Sequence, residues 1–163
     1  MDRPNVFTDP YEYDSSDPEG YRSAMSRVGE RAGGRETVVK AYEIPPGERL
    51  CPYHYEFVEE WLLILTGELE LRTPAGTETI GRGELVCFPA GPDGAHQLTN
   101  RSGDVARVLM FSSGREPAVA VYPDSDKIGV WTGRREDEFM LRRADGNVGY
   151  YDGEVQPGDG PPD

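Results

Sequence analysis

Four side chains in this sequence have the types and the order of a metal-binding group. His54, Glu56 and Glu60 lie close together in the chain, and His96 follows some distance later. Two imidazoles with two carboxylates suit borderline divalent ions, namely Zn, Mn, Fe(II), Ni or Co. The chain contains two histidines, so any histidine-based site must use one or both. The same residue types would also serve a hydrogen-bonded polar network without a metal, and at this stage both interpretations stay open.

The positions of these residues favour one shared face of extended chain. Side chains alternate between the two faces of a strand, so His54 and Glu56 point the same way. Glu60 follows after a kink near residues 58–59, and the next residues on its own face are apolar. The opposite face of this segment is apolar too, which predicts a strand buried on both sides, by the barrel interior and by a second sheet or a dimer partner. The inward residues are Leu62 and Ile64, and the outward ones are Trp61, Leu63 and Leu65.

The elements around these residues read as short strands separated by Gly and Pro. Strands about ten residues apart with turn residues between them predict an all-β sandwich or barrel. The one weak helical segment is predicted at 19–28. The predicted strands cover residues 37–44, 50–57, 61–72, 77–80, 85–88, 96–100, 106–112 and 119–122.

The sequence predicts one domain with two appendages. Residues 1–36 form an extended N-terminal arm, residues 37–122 the β-barrel, and residues 123–163 a C-terminal tail that packs on the barrel. A chain of 163 residues is long enough to bury a core of this kind. Cys51 and Cys87 are too few for a disulfide framework, and we predict that both are reduced and buried.

The composition of the chain limits the classes of partner that the protein is expected to bind. The formal net charge is −13, which argues against nucleic acid and anionic membranes and mildly against a strongly anionic substrate, although a metal could reverse the last point locally. No apolar run approaches the roughly 18 residues of a membrane span, and the N-terminus lacks the apolar core of a signal peptide. We therefore expect a cytoplasmic protein.

Two spaced motifs carry a resemblance to the cupin superfamily. The first cupin motif reads G, five residues, H-x-H, three or four residues, E, six residues, G. This chain has Gly47, six residues, then His54-Tyr55-Glu56, three residues, Glu60, six residues and Gly67. The second motif reads G, five residues, P-x-G, two residues, H, three residues, N. The matching residues here are Gly83, Pro89, Gly91, His96 and Asn100, with two extra residues before the histidine.

The resemblance implies a fold and a ligand set. The chain is similar to small single-domain bacterial cupins, which implies a double-stranded β-helix, also called a jelly-roll barrel. It also implies that His54, Glu56, Glu60 and His96 are the metal ligands. Glu56 stands where the motif usually has a second histidine. That change leaves Glu56 as either a ligand or a general base beside a triad of His54, Glu60 and His96.

Three functions fit the resemblance. The first is a metalloenzyme that acts on a small organic molecule by Lewis-acid and proton-transfer chemistry, as sugar isomerases do. The second is an Fe(II)-dependent dioxygenase. The third is a barrel that binds a small-molecule ligand or acts as a sensor without turnover. Single-domain cupins commonly pair, so we also expect a homodimer.

Overall fold

Antiparallel strands are the main regular secondary structure of the protein. The computed structural model describes residues 2–150 and 152, so Met1 and residues 151 and 153–163 of the predicted tail lie outside the described residues. Within this part the strands are β1 (Glu12–Tyr13), β2 (Ala24–Ser26), β3 (Thr37–Ile44), β4 (Tyr55–Glu56), β5 (Glu60–Thr66), β6 (Glu68–Thr73), β7 (Gly76–Gly81), β8 (Leu85–Phe88), β9 (Gln97–Thr99), β10 (Ala106–Ser113), β11 (Ala118–Tyr122), β12 (Lys127–Trp131) and β13 (Phe139–Arg142). Two single-turn helices accompany them, α1 (Val28–Arg31) and α2 (Arg143–Gly146).

The strands form three sheets. The largest has the order β1-β2-β3-β10-β5-β8, the second β13-β12-β11-β4, and the third β7-β6-β9. Isolated bridges at Arg49–Thr99 and His54–His96 join segments outside the regular strands. This arrangement is the double-stranded β-helix that the sequence predicted.

The core fills the space between the sheets with aliphatic side chains. Leu62 and Ile64 of β5 are 0% and 1% exposed, so the predicted inward face of this strand is confirmed. Their buried neighbours come from all parts of the barrel and are Ile44, Leu69, Leu71, Ile80, Phe88, Leu98, Ala106 and Val108. Full burial of an aliphatic side chain contributes roughly 1.5–3 kcal/mol, so this cluster is the main source of stability.

Most predicted strands are confirmed, with one division and one shortening, because the segment predicted at 50–57 forms a strand only at Tyr55–Glu56 (β4). The segments predicted at 37–44 and 85–88 match β3 and β8, and the one predicted at 119–122 lies in β11. The long run predicted at 61–72 is two strands, because the chain turns at Gly67. Gly67 has φ +77°, and a Cβ there would lie 3.1 Å from that of Ala106, so only glycine suits the position.

The prediction of a helix at residues 19–28 is wrong. Residues 24–26 of that segment form β2, which pairs with β3 in the register Ala24–Glu43. The edge of β3 supplies backbone hydrogen-bond partners that a short, Gly- and Ser-containing segment cannot match as an isolated helix. The arm is therefore joined to the largest sheet through main-chain hydrogen bonds.

The two cysteines differ in exposure. Both are free; Cys51 is half-buried and Cys87 is exposed. The prediction that both are buried is therefore wrong for Cys87. That residue lies on the outward face of β8, at the edge of the largest sheet, while the next residue, Phe88, points into the core.

The helices of the described residues are short. None is long and apolar enough to cross a membrane.

Candidate metal centre

The two histidines are brought together by their own backbones. The amide of His54 donates to the carbonyl of His96 at 3.2 Å, and the amide of His96 donates to the carbonyl of His54 at 2.8 Å. The two rings lie 4.8 Å apart, centroid to centroid, at an interplanar angle of 52°. Although 42 positions separate them in the sequence, they are direct neighbours on one face of the barrel interior.

Each ring is held in the same tautomer by a nearby carbonyl. Nδ1 of His54 lies 3.0 Å from the carbonyl oxygen of Pro52, and Nδ1 of His96 lies 2.9 Å from that of Gly94. A carbonyl only accepts, so we assign the proton of each ring to Nδ1. Nε2 of both rings then carries a free lone pair, which is the form that a metal ligand requires.

A carboxylate completes a three-residue group. Oε2 of Glu60 lies 3.8 Å from Nε2 of His96. The ligand atoms of His54, Glu60 and His96 all lie within 4.8 Å of one another. Ligand atoms about 2.0–2.2 Å from one tetrahedral ion lie roughly 3.3–3.6 Å apart, so the widest pair must close in by about an ångström when an ion binds.

An orphaned nitrogen supports the fit to a metal. Nε2 of His96 is buried, and no hydrogen-bond partner for it exists in the part of the chain that the structure describes. Buried polar atoms are almost always paired, since leaving one unpaired costs roughly 1–3 kcal/mol. A divalent cation bound by the three residues would occupy the lone pair and remove that cost. The donor set therefore fits a first-row divalent ion.

Burial keeps the histidine rings neutral. It lowers the pKa of His96 to about 3, with the neighbouring His54 adding to the effect. It also lowers the pKa of His54. For Glu60 burial has the opposite consequence, and together with the charge of Glu56 it raises the pKa to about 7. At neutral pH both rings are therefore ready to coordinate, while Glu60 must still lose part of its proton.

Glu56 lies beside this group rather than within it. Its Oε1 is 4.0 Å from Nε2 of His54, and it does not belong to the group of three whose ligand atoms are mutually close. Burial raises the pKa of Glu56, and the charge of Lys40 partly opposes this. The choice between fourth ligand and general base, which the sequence left open, stays a prediction.

Two aromatic side chains fix the histidine rings. Phe88 stacks on His96 with centroids 3.7 Å apart and planes 8° from parallel. Tyr122 stacks on His54 at 5.7 Å and 22°. Sequence reasoning missed both, because nothing in a β-rich segment marks which aromatic faces an imidazole.

The turn before His96 depends on two glycines, Gly91 of the second motif and Gly94. Gly91 has φ +88° and leads into the 3₁₀ turn Pro92–Gly94. A Cβ at Gly94 would collide with the carbonyl oxygen of Pro89, so the turn closes only with glycine there. Since the carbonyl of Gly94 holds Nδ1 of His96, the shape of this turn sets the direction of the ligand ring.

Asn100, the last residue of the second motif, has a structural role. Its side chain is fully buried and donates to the carbonyls of Ile44 and Asp104 at 2.7 and 2.8 Å. Its Oδ1 accepts from the amide and the hydroxyl of Ser102. The asparagine therefore joins two loops at the end of the barrel and has no part in the metal group.

His54 and Glu60 of the three-residue group line a cavity of about 670 Å³. This volume lies within the usual range of small-molecule sites. Lys40 and Tyr42 line it from β3, and Glu56 and Tyr122 line it from the second sheet. Sequence reasoning identified Glu56 but gave no role to the other three residues.

The class of protein follows from the fold and this group. The cupin domain family matches residues 40–112, a span that contains His54, Glu56, Glu60 and His96. Residues 40–112 are therefore a cupin domain.

Solved structures with the same fold cover nearly the whole chain. A protein from Acidithiobacillus ferrooxidans, provisionally described as a sugar phosphate isomerase, aligns with TM-score 0.77 and 21% identity over 88% of this chain and 91% of its own. A sugar phosphate isomerase of the cupin superfamily from Silicibacter pomeroyi aligns with TM-score 0.75 and 22% identity over 90% of this chain and 98% of its own. The polyketide cyclase RemF of Streptomyces resistomycificus aligns with TM-score 0.59 and 22% identity over 72% of this chain and 83% of its own. No protein in a search of curated sequences matches the chain.

Proposed function

We propose that this protein is a metal-dependent enzyme that moves a proton next to a carbonyl group of a small organic molecule, as an isomerase or epimerase does. The observation that carries the proposal is the buried, unpartnered Nε2 of His96, which points to the same space as Glu60 and as Nε2 of His54. Three ligands from the protein leave coordination positions open for a substrate.

The ligands and the base have separate roles in this proposal. His54, Glu60 and His96 hold the ion, which when bound supplies a Lewis acid that polarises the carbonyl oxygen of the substrate. In an isomerisation, Glu56 takes the proton from the carbon next to the carbonyl and returns it to the carbonyl carbon, while the proton of the substrate hydroxyl passes to the former carbonyl oxygen. A carboxylate with a raised pKa suits this exchange, because a base works best when its pKa lies near the working pH.

The surrounding side chains prepare the site. Phe88 and Tyr122 keep the imidazole rings from rotating, so the ligand geometry exists before an ion binds. The phenol of Tyr42 also lines the cavity and senses the charges of Glu60 and Glu56. In this proposal the phenol donates a hydrogen bond to a substrate oxygen that gains charge during the proton transfer.

The comparisons support this proposal at the level of the fold. Two similar structures are described as sugar phosphate isomerases, and both align along most of their own length. Their identity to this chain is 21% and 22%, so their activity comes to this protein only as a hypothesis.

Oxygen chemistry is the second candidate. Two histidines and one carboxylate are the ligands of non-haem Fe(II) oxygenases, and the close group here has that composition. Uptake of dioxygen by the Fe(II)-loaded protein, with no deuterium exchange, would favour this candidate. A metal-loaded protein that binds ligands and turns over none of them would favour a sensor.

Deuterium exchange tests the main proposal. The protein is loaded with Mn, Fe(II), Co, Ni or Zn and incubated in D₂O with a panel of aldoses, ketoses and 2-hydroxy carbonyl compounds. We expect NMR to detect deuterium at the carbon next to the carbonyl in at least one compound. Glu56→Gln should lose the exchange while it keeps its metal, and Glu68→Gln, an exposed change on β6, should keep both. Exchange at the wild-type rate in Glu56→Gln would contradict the role of this residue as the base.

A further inference from the structure

The cavity wall carries more positive charge than the composition of the chain suggests. Three basic residues line it, in a protein whose formal net charge is −13. Four carboxylates line it as well, and two of these are the metal-site residues Glu56 and Glu60. The basic residues are Arg27, Lys40 and Arg115, and the other two carboxylates are Glu116 and Glu138.

Lys40 is the central cation of this wall. It lies on β3, is half-buried, and shares a strand face with Tyr42, which also lines the cavity. Its side chain lines the same cavity as Glu56 and Glu60, so it borders the space in front of the metal group. Among the described residues no carboxylate lies within ion-pair distance of it and no acceptor hydrogen-bonds to it. A half-buried ammonium without an acceptor is a costly arrangement unless a ligand supplies one.

Arg115 provides a second cation at the mouth. It is exposed, lies just after β10, and forms no ion pair with any acidic residue of the described chain. Arg27 is less available, because its guanidinium already pairs with Glu30 at 3.6 Å. The carboxylate of Glu116, the neighbour of Arg115, lies against Gly133, which lines the same cavity.

A bound divalent ion would change the net charge of the cavity lining. Three basic and four acidic side chains are nearly balanced, and two further positive charges at the metal group make the lining net positive. Charges within a cavity act on its contents over a few ångströms, whereas salt screens the rest of the acidic surface beyond about 8 Å. The local charges therefore outweigh the net charge of the chain, which by itself had argued against an anionic substrate.

From these observations we propose that the substrate carries one anionic group, a carboxylate or a phosphate, which binds between Lys40 and Arg115 while its carbonyl end lies at the metal group. This inference rests on the proposed function for the carbonyl end, and the anion site itself is defined by the two cations. The cavity volume of about 670 Å³ holds a small molecule with two such ends.

Anion binding to metal-loaded protein tests the proposal. Inorganic phosphate and acetate serve as separate probes in isothermal titration, with Mn-loaded and metal-free protein, and whichever binds more tightly identifies the anion. Charge-assisted hydrogen bonds contribute roughly 1.5–3 kcal/mol, so we expect Lys40→Met to weaken the better probe by about tenfold or more. Arg115→Gln should weaken it less, because that side chain is exposed. Lys40→Arg should keep most of the affinity.

Control measurements separate this proposal from the one on which it rests. Arg82→Gln removes an exposed charge in the turn before β8, outside the cavity, and should leave anion binding unchanged. Thermal unfolding of each variant shows that the fold is intact. Equal anion affinity in wild type, Lys40→Met and Arg115→Gln would overturn the proposal, and so would the absence of binding by either probe to a protein that holds its metal. Anion binding that depends on Lys40 in a protein that takes up no metal would uphold the anion site and overturn the proposed function instead.

Discussion

His54 and His96 are paired twice, through two backbone hydrogen bonds and through rings 4.8 Å apart. The backbone pairing fixes the Cα positions, and the carbonyls of Pro52 and Gly94 fix the direction of each ring. The ligand geometry is therefore a property of the main chain as much as of the side chains.

The metal content of alanine variants should distinguish the roles of the three close ligands from the role of Glu56. His96→Ala removes a ligand, and we expect it to lower metal affinity by more than roughly a hundredfold, since even groups that only orient ligands are worth about ten- to a hundredfold. Glu56→Ala should retain the ion. Elemental analysis of purified protein, followed by titration with Mn and Zn, measures both.

The exposed variant Glu68→Gln is the control for the loss of one carboxylate. If His96→Ala and Glu56→Ala both lose the ion, the site has four ligands and Glu56 is one of them. If His96→Ala keeps its ion at full affinity, the metal site is elsewhere or absent.

Metal affinity should rise with pH up to about 7. Burial raises the pKa of Glu60 to about 7, so below that pH an incoming ion must displace a proton from this carboxyl. His96 holds no proton in this range, because its pKa is lowered to about 3. The expected result is a fall in affinity of about tenfold per pH unit below 7, with release of one proton per ion.

Calorimetry in buffers of different ionisation enthalpy counts the released protons. In Glu60→Gln the pH dependence should disappear together with most of the affinity. An unchanged slope in that variant, or a slope that begins only near pH 4, would mean that Glu60 is not the group that titrates.

Gly94→Ala should weaken both the fold and the metal site. The new Cβ would collide with the carbonyl of Pro89, and overpacking of this kind costs about 1–3 kcal/mol. Because the carbonyl of Gly94 also orients His96, metal affinity should fall as well. Urea unfolding of the metal-free protein measures the change in the free energy of unfolding, and metal titration measures the change in affinity.

Gly103→Ala is the matched control for this change. Nothing lies within 4 Å of a Cβ at that position, so the free energy of unfolding should move by less than about 0.5 kcal/mol. Equal stability of the two alanine variants would contradict the collision at Gly94.

The predicted homodimer should form through the outer face of β5. Trp61 stacks on Phe111 there, with centroids 6.5 Å apart and planes 4° from parallel, and Leu63 lies half-buried beside them. An apolar sheet face of this kind favours cover by a second copy. Sedimentation should give twice the chain mass of 18.1 kDa.

A charge in the centre of this face tests the mode of pairing. Leu63→Arg should shift the protein to a single-chain mass, while Val105→Arg, at a residue 44% exposed, should not. A single-chain mass for the wild type at micromolar concentration would end the dimer prediction.

The sequence by itself determined the periodic features of this protein. Alternation placed Leu62 and Ile64 inside the barrel, and turn residues bounded β3 and β8 correctly, because both depend on local backbone geometry. The spacing of glycines, histidines and Glu60 identified the cupin domain. These properties belong to short stretches of chain, so they can be read without knowing what packs against them.

Tertiary structure alone decided the rest. Whether residues 24–26 become helix or strand depends on the free edge of β3, which is a partner distant in sequence. That His54, Glu60 and His96 come close together, that Phe88 stacks on His96, and that Lys40 lines the cavity are outcomes of the pairing between sheets. The physical reason is that alternation fixes the face on which a side chain lies, whereas its distance to another side chain is fixed by how the strands cross and pack.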